Sequence, residues 1–94
     1  MTYRIDRTKA FIRDVATAKR RGLDISKLNE VVGALALGQR LHESKRDHAL
    51  RGEYKGCREC HIAPDWLLVY RRNSEELVLL LVRTGTHRDV GFEK

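Results

Sequence analysis

The chain has no long apolar stretch. No apolar run approaches the roughly 20 residues that a membrane helix needs, and mean hydropathy is -0.51. The first residues also lack the apolar core and small-residue cleavage site of an export signal. We therefore expect a soluble cytoplasmic protein without a membrane partner. With 94 residues, the chain is long enough for one core, so we predict a single domain over residues 1–94.

Cysteine, methionine and proline are scarce. The chain has two Cys, one Met and one Pro, so we expect reduced thiols and no disulfide framework. Cys57-Arg-Glu-Cys60-His61 formally matches a c-type haem attachment motif, but the only Met is the initiator and an export signal is missing. A zinc site through Cys57, Cys60 and His61, with His48, is an alternative. It is disfavoured because strand residues three apart point to opposite faces. We expect no cofactor and no metal.

Acidic residues are outnumbered. Lys and Arg total 19 against 13 Asp and Glu, which gives a net charge of +6 and favours a polyanionic partner such as RNA or the ribosome. The most basic stretch is the polar, aperiodic segment from Gln39 to Tyr54, which we call the basic loop. Its basic residues, with the one that follows, are Arg40, His42, Lys45, Arg46, His48, Arg51 and Lys55. We interpret this loop as functional surface, with Lys45, Arg46, Arg51 and Lys55 as candidate RNA contacts.

The hydrophobic pattern predicts an α+β fold in the order β-α-α-β-β-β. Tyr3 and Ile5 alternate with polar residues in a short edge strand. Two amphipathic helices follow, the first capped by Thr8 and ended by Gly22, the second capped by Asp24 or Ser26 and ended by Gly38. Three runs then predict neighbouring antiparallel strands joined by short turns: Cys57 to Ile62, Trp66 to Arg71 and Leu77 to Arg83.

The last two strands are apolar on both faces. Two helices can cover only one face of a small antiparallel sheet, so we expect the other face to need a partner chain or a groove that is filled in use.

Polar residues cluster where these strands end. His61 closes one strand, Asp65 lies in the following turn, and Arg83 and His87 follow the last strand, so antiparallel pairing should bring them to one edge. RNA can be cut without a metal because its own 2′-OH attacks the adjacent phosphate. Two imidazoles and a guanidinium suit the required proton transfers and charge stabilisation. Trp66 and Phe92 offer faces on which a base could stack, although Trp66 could equally be a core residue.

Several motifs together resemble the YafQ branch of the RelE/ParE toxin superfamily, from bacterial type II toxin-antitoxin systems. They are Asp47-His48-Ala49-Leu50-Arg51-Gly52, Tyr54-Lys55-Gly56, His61-Ile62-Ala63-Pro64-Asp65-Trp66-Leu67-Leu68-Val69-Tyr70 and Arg83-Thr84-Gly85-Thr86-His87. The resemblance spans essentially the whole chain and implies the RelE-like fold.

The resemblance implies a ribosome-dependent messenger RNA endoribonuclease, with messenger RNA on the ribosome and ribosomal RNA as partners. It further implies that His48, His61, Asp65 and His87 take part in proton transfer, with His87 the general acid, and that Arg83 stabilises the transition state. Trp66 and Phe92 would help to position RNA. A DinJ- or RelB-like antitoxin would neutralise the toxin, and the positive charge predicts an acidic docking segment on it. The alternative is a basic module that binds RNA or the ribosome without cutting.

Overall fold

The computed structural model describes residues 2–90, which form a five-stranded sheet and three helices. Short 3₁₀ turns at Glu43–Lys45 and Gly52–Tyr54 lie in the basic loop. The elements are β1 (Arg4–Arg7), α1 (Lys9–Arg20), α2 (Ile25–Ala36), β2 (His48–Ala49), β3 (Arg58–Ala63), β4 (Trp66–Asn73), β5 (Val78–Gly85) and α3 (His87–Val90). The predicted α+β class is confirmed, while β2 and α3 were not predicted. No helix in this part of the chain has the length and apolar character of a membrane span.

The strand order is β1-β5-β4-β3-β2. The β3–β4 and β4–β5 pairs are antiparallel, as predicted, and β2 adds to β3 in the same sense. β1 is the predicted edge strand, but it pairs in parallel with β5, with Arg4 opposite Val78. Parallel pairing needs a long crossover connection, which the helices, the basic loop and strands β2 to β4 provide. The sheet is therefore mixed rather than wholly antiparallel.

Both long helices begin and end at the predicted residues. The Thr8 hydroxyl accepts a hydrogen bond from the Phe11 amide at 2.9 Å, and the Asp24 carboxylate accepts one from the Ser26 amide at 3.0 Å. These side chains satisfy amides that the first turn leaves without a helical partner. Gly22 and Gly38 follow the helix ends with φ of 81° and 77°, a conformation that favours glycine.

The main core lies between the helices and one face of the sheet. Its largest fully buried members include Leu35 of α2, Leu68 and Tyr70 of β4, and Leu79 of β5. A hydrogen bond also joins β4 to α2, since Arg72 Nη1 donates to the Leu35 carbonyl at 3.0 Å. The helices therefore fix β4 and β5, and these strands in turn position β3 and α3, which carry most of the candidate site.

The second face is partly covered by the chain itself. Leu67 and Val69, which alternate with the helix-facing residues of β4, are fully buried, and Val90 of α3 is buried as well. Tyr54 of the basic loop donates a hydrogen bond to the Val90 carbonyl at 3.5 Å. The expectation that a partner or a filled groove must cover this face was too strong, because it overlooked α3 and the folded part of the loop.

Candidate active site at the sheet edge

Strand register brings His61 and His87 together. His61 lies opposite Leu67, and Leu67 lies opposite Gly85, so the end of β3 and the end of β5 share one edge of the sheet. His87 begins α3 two residues later. The two imidazole rings approach with centroids 5.9 Å apart and planes inclined at 63°. The predicted convergence of these two histidines is present in the structure.

Asp65 joins this pair from the β3–β4 turn. Its Oδ1 lies 3.6 Å from His87 Nδ1, a distance that suits an ion pair with a protonated imidazole. Both side chains are more than half exposed, at 73% for Asp65 and 52% for His87. The contact is therefore weak in water, and both groups are open to a ligand from solvent.

A buried carboxylate that the sequence analysis missed connects His48 to the site. His48 lies opposite Glu59 in the β2–β3 pair, and its Nε2 is 3.2 Å from Glu59 Oε1. Its Nδ1 is 2.8 Å from the Arg46 carbonyl, which can only accept, so Nδ1 carries the proton in that contact. Glu59 lies two residues before His61 on one strand, and this period places both side chains on one face. That spacing was the signal that could have revealed it.

Glu59, His61 and His87 meet closely enough to form one group. Each has a ligand-type atom within 4.8 Å of those of the other two. With His48 and Asp65 they form what we call the edge cluster. This cluster contains four of the predicted catalytic residues and one unpredicted carboxylate.

Arg83 points to a different set of partners. Its Nε and Nη2 donate to the two carboxylate oxygens of Asp14 at 2.6 and 3.1 Å, and Nη2 also reaches the Asp89 carbonyl. Hydrogen bonding to Asp14 is the main cause that raises the Arg83 pKa further. The sequence did not show this pair because Asp14 lies on α1. Arg83 and Glu59 both lie opposite Val69, so about 10 Å of sheet separates their backbones.

The Asp14 carboxylate also fixes the end of β5. It accepts a hydrogen bond from the Thr84 amide at 3.0 Å. At Gly85, an added Cβ would lie 2.8 Å from Asp89 Cβ, closer than side chains normally approach. Gly85 therefore allows α3 to pack against the strand end, which is how His87 reaches the edge cluster.

The basic loop borders the site on one side. Lys45 and Arg46 line a cavity of about 390 Å³ together with His61 and Pro64. Arg51 and Lys55 are exposed on either side of the turn at Gly52–Tyr54. Cationic side chains thus lie next to the His61 imidazole, where they could contact a phosphate backbone.

Trp66 and Phe92 are the two aromatic candidates for RNA binding. Trp66 is 4% exposed and belongs to the core, and its indole Nε1 donates to the Thr84 hydroxyl at 2.9 Å. This position gives no support to a base-stacking role, since neither face is available without a rearrangement. Phe92 lies outside the described residues.

The cysteines do not take part in the edge cluster. Both are buried and free, and Cys60 lies in the helix-side core. Burial raises the pKa of the Cys60 thiol to about 12. Within residues 2–90, the potential metal-binding group contains neither cysteine, so the zinc alternative through Cys57, Cys60 and His61 finds no geometric support.

These features define the class as a small basic α+β protein with an acid–base cluster at an open sheet edge. The family model described as the bacterial toxin of the type II toxin-antitoxin system, YafQ, matches residues 3–91. The chain belongs to this family, and the resemblance found in the sequence is confirmed.

Known proteins support the same placement. The mRNA interferase toxin YafQ of Escherichia coli K12 is 34% identical over 88% of this chain and 89% of its own. The toxin in the E. coli DinJ-YafQ complex is 32% identical with a TM-score of 0.84, covering 94% and 96% of the two chains. A metal-bound toxin from Helicobacter pylori is 41% identical with a TM-score of 0.86, covering 96% and 99%. At the level of the family, the prediction of an RNA-cutting enzyme is confirmed.

Proposed function

We propose that this protein is a ribosome-dependent endoribonuclease that cuts messenger RNA by metal-independent attack of the 2′-OH on the adjacent phosphate, in the cytoplasm. The observation that carries the proposal is the 5.9 Å approach of His61 and His87 at an exposed edge beside the basic loop. A base must reach the 2′-OH, and an acid must reach the leaving 5′-oxygen of the adjacent phosphodiester, each at about 2.6 to 3.2 Å. Two neighbouring imidazoles can do so.

The geometry suggests a division of roles. His61, next to the Lys45 and Arg46 cavity, accepts the 2′-OH proton, and His87 donates a proton to the leaving 5′-oxygen. Asp65 orients His87. His48 acts through Glu59, so we treat it as a positioning residue.

Positive charge for the phosphorane comes mainly from the basic loop in this proposal. Lys45 and Arg46 border His61, whereas Arg83 shares its charge with Asp14 at 2.6 Å. Arg83 contributes positive potential to the same edge, weakened by that ion pair. Arg51 and Lys55 hold RNA farther out, through contacts that depend on salt.

The decisive experiment adds purified protein to a translating extract and maps message ends. Attack by the 2′-OH leaves a 2′,3′-cyclic phosphate and a 5′-hydroxyl, so the termini report the mechanism directly. His87→Ala should bind ribosomes yet cut at least a hundredfold more slowly. The matched control is His42→Ala, an exposed histidine of the same loop whose ring contacts Ser44.

Three results would contradict parts of the proposal. Equal cleavage by His87→Ala and the parent would remove the acid–base assignment and favour a module that only binds. Products with 3′-hydroxyl ends would exclude attack by the 2′-OH. Equal cutting of free RNA would exclude dependence on the ribosome.

The proposed protein partner is a DinJ-like antitoxin, since the relative in the E. coli complex is bound to DinJ. The net charge of +6 favours an acidic docking segment. Coexpression with a DinJ-like protein and affinity purification would test this. A neutraliser with a strongly basic docking segment would contradict it.

A further inference from the structure

The position of His87 is not secured by its own side chain. The ring is half exposed, and it lies 3.6 Å from Asp65 and edge-on to His61. An ion pair between groups this exposed is weak in water. The backbone of α3 must therefore set the direction of the ring, yet α3 covers only His87–Val90. One turn of helix is not stable by itself, so contacts with the rest of the chain have to hold it.

A reciprocal cap joins the start of this turn to its third residue. The Asp89 amide donates to the Thr86 hydroxyl at 3.1 Å, and the Thr86 amide donates to Asp89 Oδ2, also at 3.1 Å. This is the arrangement of a capping box, in which a Thr and an acidic residue three positions later satisfy each other's amides. His87 lies directly after Thr86, so the cap fixes the backbone that carries the ring.

Arg21 ties the cap to α1. Its Nη1 donates to Asp89 Oδ2 at 2.7 Å, and its Nη2 lies 3.5 Å from Oδ1, so the guanidinium faces both carboxylate oxygens. Arg21 directly follows the last residue of α1, a helix that packs into the main core. Hydrogen bonding to Arg21 is the main cause that lowers the Asp89 pKa to about 2. The carboxylate is therefore charged, and the ion pair is present, throughout the neutral pH range.

Little packing lies beneath α3 on the side that faces α1. A cavity of about 150 Å³ lies between α1 and the end of β5, and Arg21, Asp65 and Asp89 are among the residues that line it. Of the four residues of α3, only Val90 is buried. Arg83 Nη2 donates to the Asp89 carbonyl at 3.1 Å, so one main-chain contact would remain if the Arg21 contact were lost. The turn would then shift toward the cavity rather than unfold.

We propose that Arg21 and Asp89 are positioning residues that hold His87 in reach of the scissile bond, a role that rests on the proposed function of His87. Neither side chain touches the reacting atoms. Both act through the cap at Thr86, which sets the direction of the imidazole that donates a proton to the leaving oxygen. Misplacing a catalytic group by about 1 Å can cost about 100-fold in rate, whereas an exposed ion pair contributes little to stability. Loss of the contact should therefore lower cleavage far more than stability.

The first test compares charge-matched variants of α1. Arg21→Met and Arg20→Met each remove one positive charge from neighbouring positions, but Arg20 donates to the Thr17 hydroxyl of its own helix at 3.1 Å. We expect Arg21→Met to lower kcat for message cleavage by about tenfold to a hundredfold, with an unchanged KM for programmed ribosomes. Arg20→Met should cut as the parent does, and both variants should keep the parent's unfolding midpoint in urea. Equal kcat in the two variants would overturn the proposal.

The carboxylate provides a second comparison. Asp89→Glu keeps the charge and the common Thr-x-x-Glu form of a capping box, so most of the cleavage should remain. Asp89→Ala loses both the cap and the ion pair and should cut at least as slowly as Arg21→Met. The double variant should lose little more than Asp89→Ala alone, because the two residues act through one contact. Full cleavage by Asp89→Ala, or a double loss equal to the product of the single losses, would overturn the proposal.

A spectroscopic measurement tests the position of His87 without reference to cleavage. The rings of His61 and His87, with centroids 5.9 Å apart, should show a nuclear Overhauser contact in the parent and in the charge-matched control Asp6→Ala, and lose it in Asp89→Ala. An unchanged contact in Asp89→Ala would overturn the proposal. If that variant loses the contact but the parent does not cut RNA, the proposed function fails and the positioning of the His87 ring by Asp89 stands. If the parent cuts and Asp89→Ala cuts equally, only the positioning role fails.

Discussion

Polar groups in this small domain are organised in two different ways. In the edge cluster, His87 and Asp65 are more than half exposed and 3.6 Å apart. Glu59 retains one buried oxygen that has no hydrogen-bond partner within residues 2–90. Elsewhere, charged groups make short, multiple contacts. Arg83 lies 2.6 Å from Asp14, and Arg58 lies 2.7 Å from Asp47. We call these two ion pairs, with their neighbours, the anchored regions. The difference shows which charges stabilise the fold and which are left available for a ligand.

The largest effect on activity should come from substitutions in the edge cluster. We expect His61→Ala and His87→Ala each to lower the rate of message cleavage by about 10² to 10⁴, and the double variant to lose little more than either single one. Residues that act as one unit show such strong non-additivity. Rates would be compared in the same translating extract.

The free energy of unfolding should change little in these variants, since both rings lie at the rim of the fold. If the loss of rate in the double variant equalled the product of the two single losses, the histidines would not act in one reaction. A large loss of stability would place them in the anchored regions.

The next largest effect is on stability, and it tests the ion pair between Asp14 of α1 and Arg83 of β5. Asp14→Ala leaves Arg83 and the Thr84 amide without their shared acceptor, so we expect it to lower the free energy of unfolding by about 1 to 3 kcal/mol. Urea titration would measure this. The control is Asp6→Ala, which breaks an exposed pair with Arg4 at 3.3 Å and should cost less than about 1 kcal/mol. Equal costs would show that the Arg83 pair is no stronger than a surface contact.

A smaller effect concerns the second anchor, where Tyr70 donates to the Asp47 carboxylate that also holds Arg58. Burial is the main cause that raises the Tyr70 pKa above its usual value of 10. The folded state therefore holds the Tyr70 proton more tightly than the unfolded state does. The resulting stabilisation is complete below pH 10 and is lost as the pH rises above 10. Stability measured from pH 8 to 11 should therefore fall less steeply for Tyr70→Phe than for the parent. Tyr3→Phe is the control, and an equally flat profile for it would contradict the role given to Tyr70.

The sequence predicted what depends on local pattern. The caps at Thr8 and Asp24 and the β3–β4–β5 meander follow from short-range chemistry and period-two alternation, and the convergence of His61 and His87 follows from the meander. The sequence could not show the Asp14 to Arg83 pair or the parallel β1 to β5 pairing, because both join distant segments. Glu59 was missed because a single charged residue in a strand resembles a solvent-facing position until the neighbouring strand is known.

The smallest expected effect is in the chemical reactivity of Cys60, which lies on the opposite face of β3 from Glu59 and His61. Glu59 and His61 belong to the edge cluster, while Cys60 between them is fully buried in the core. We expect iodoacetamide at pH 8 to leave Cys60 unmodified in the native protein, because a buried thiol is out of reach and little of it is ionised. Peptide mass spectrometry before and after addition of urea would measure this, with complete alkylation in urea as the control. Rapid alkylation of native Cys60 would mean that β3 opens readily. The edge cluster could then not hold Glu59 and His61 in the fixed geometry on which the acid–base site depends.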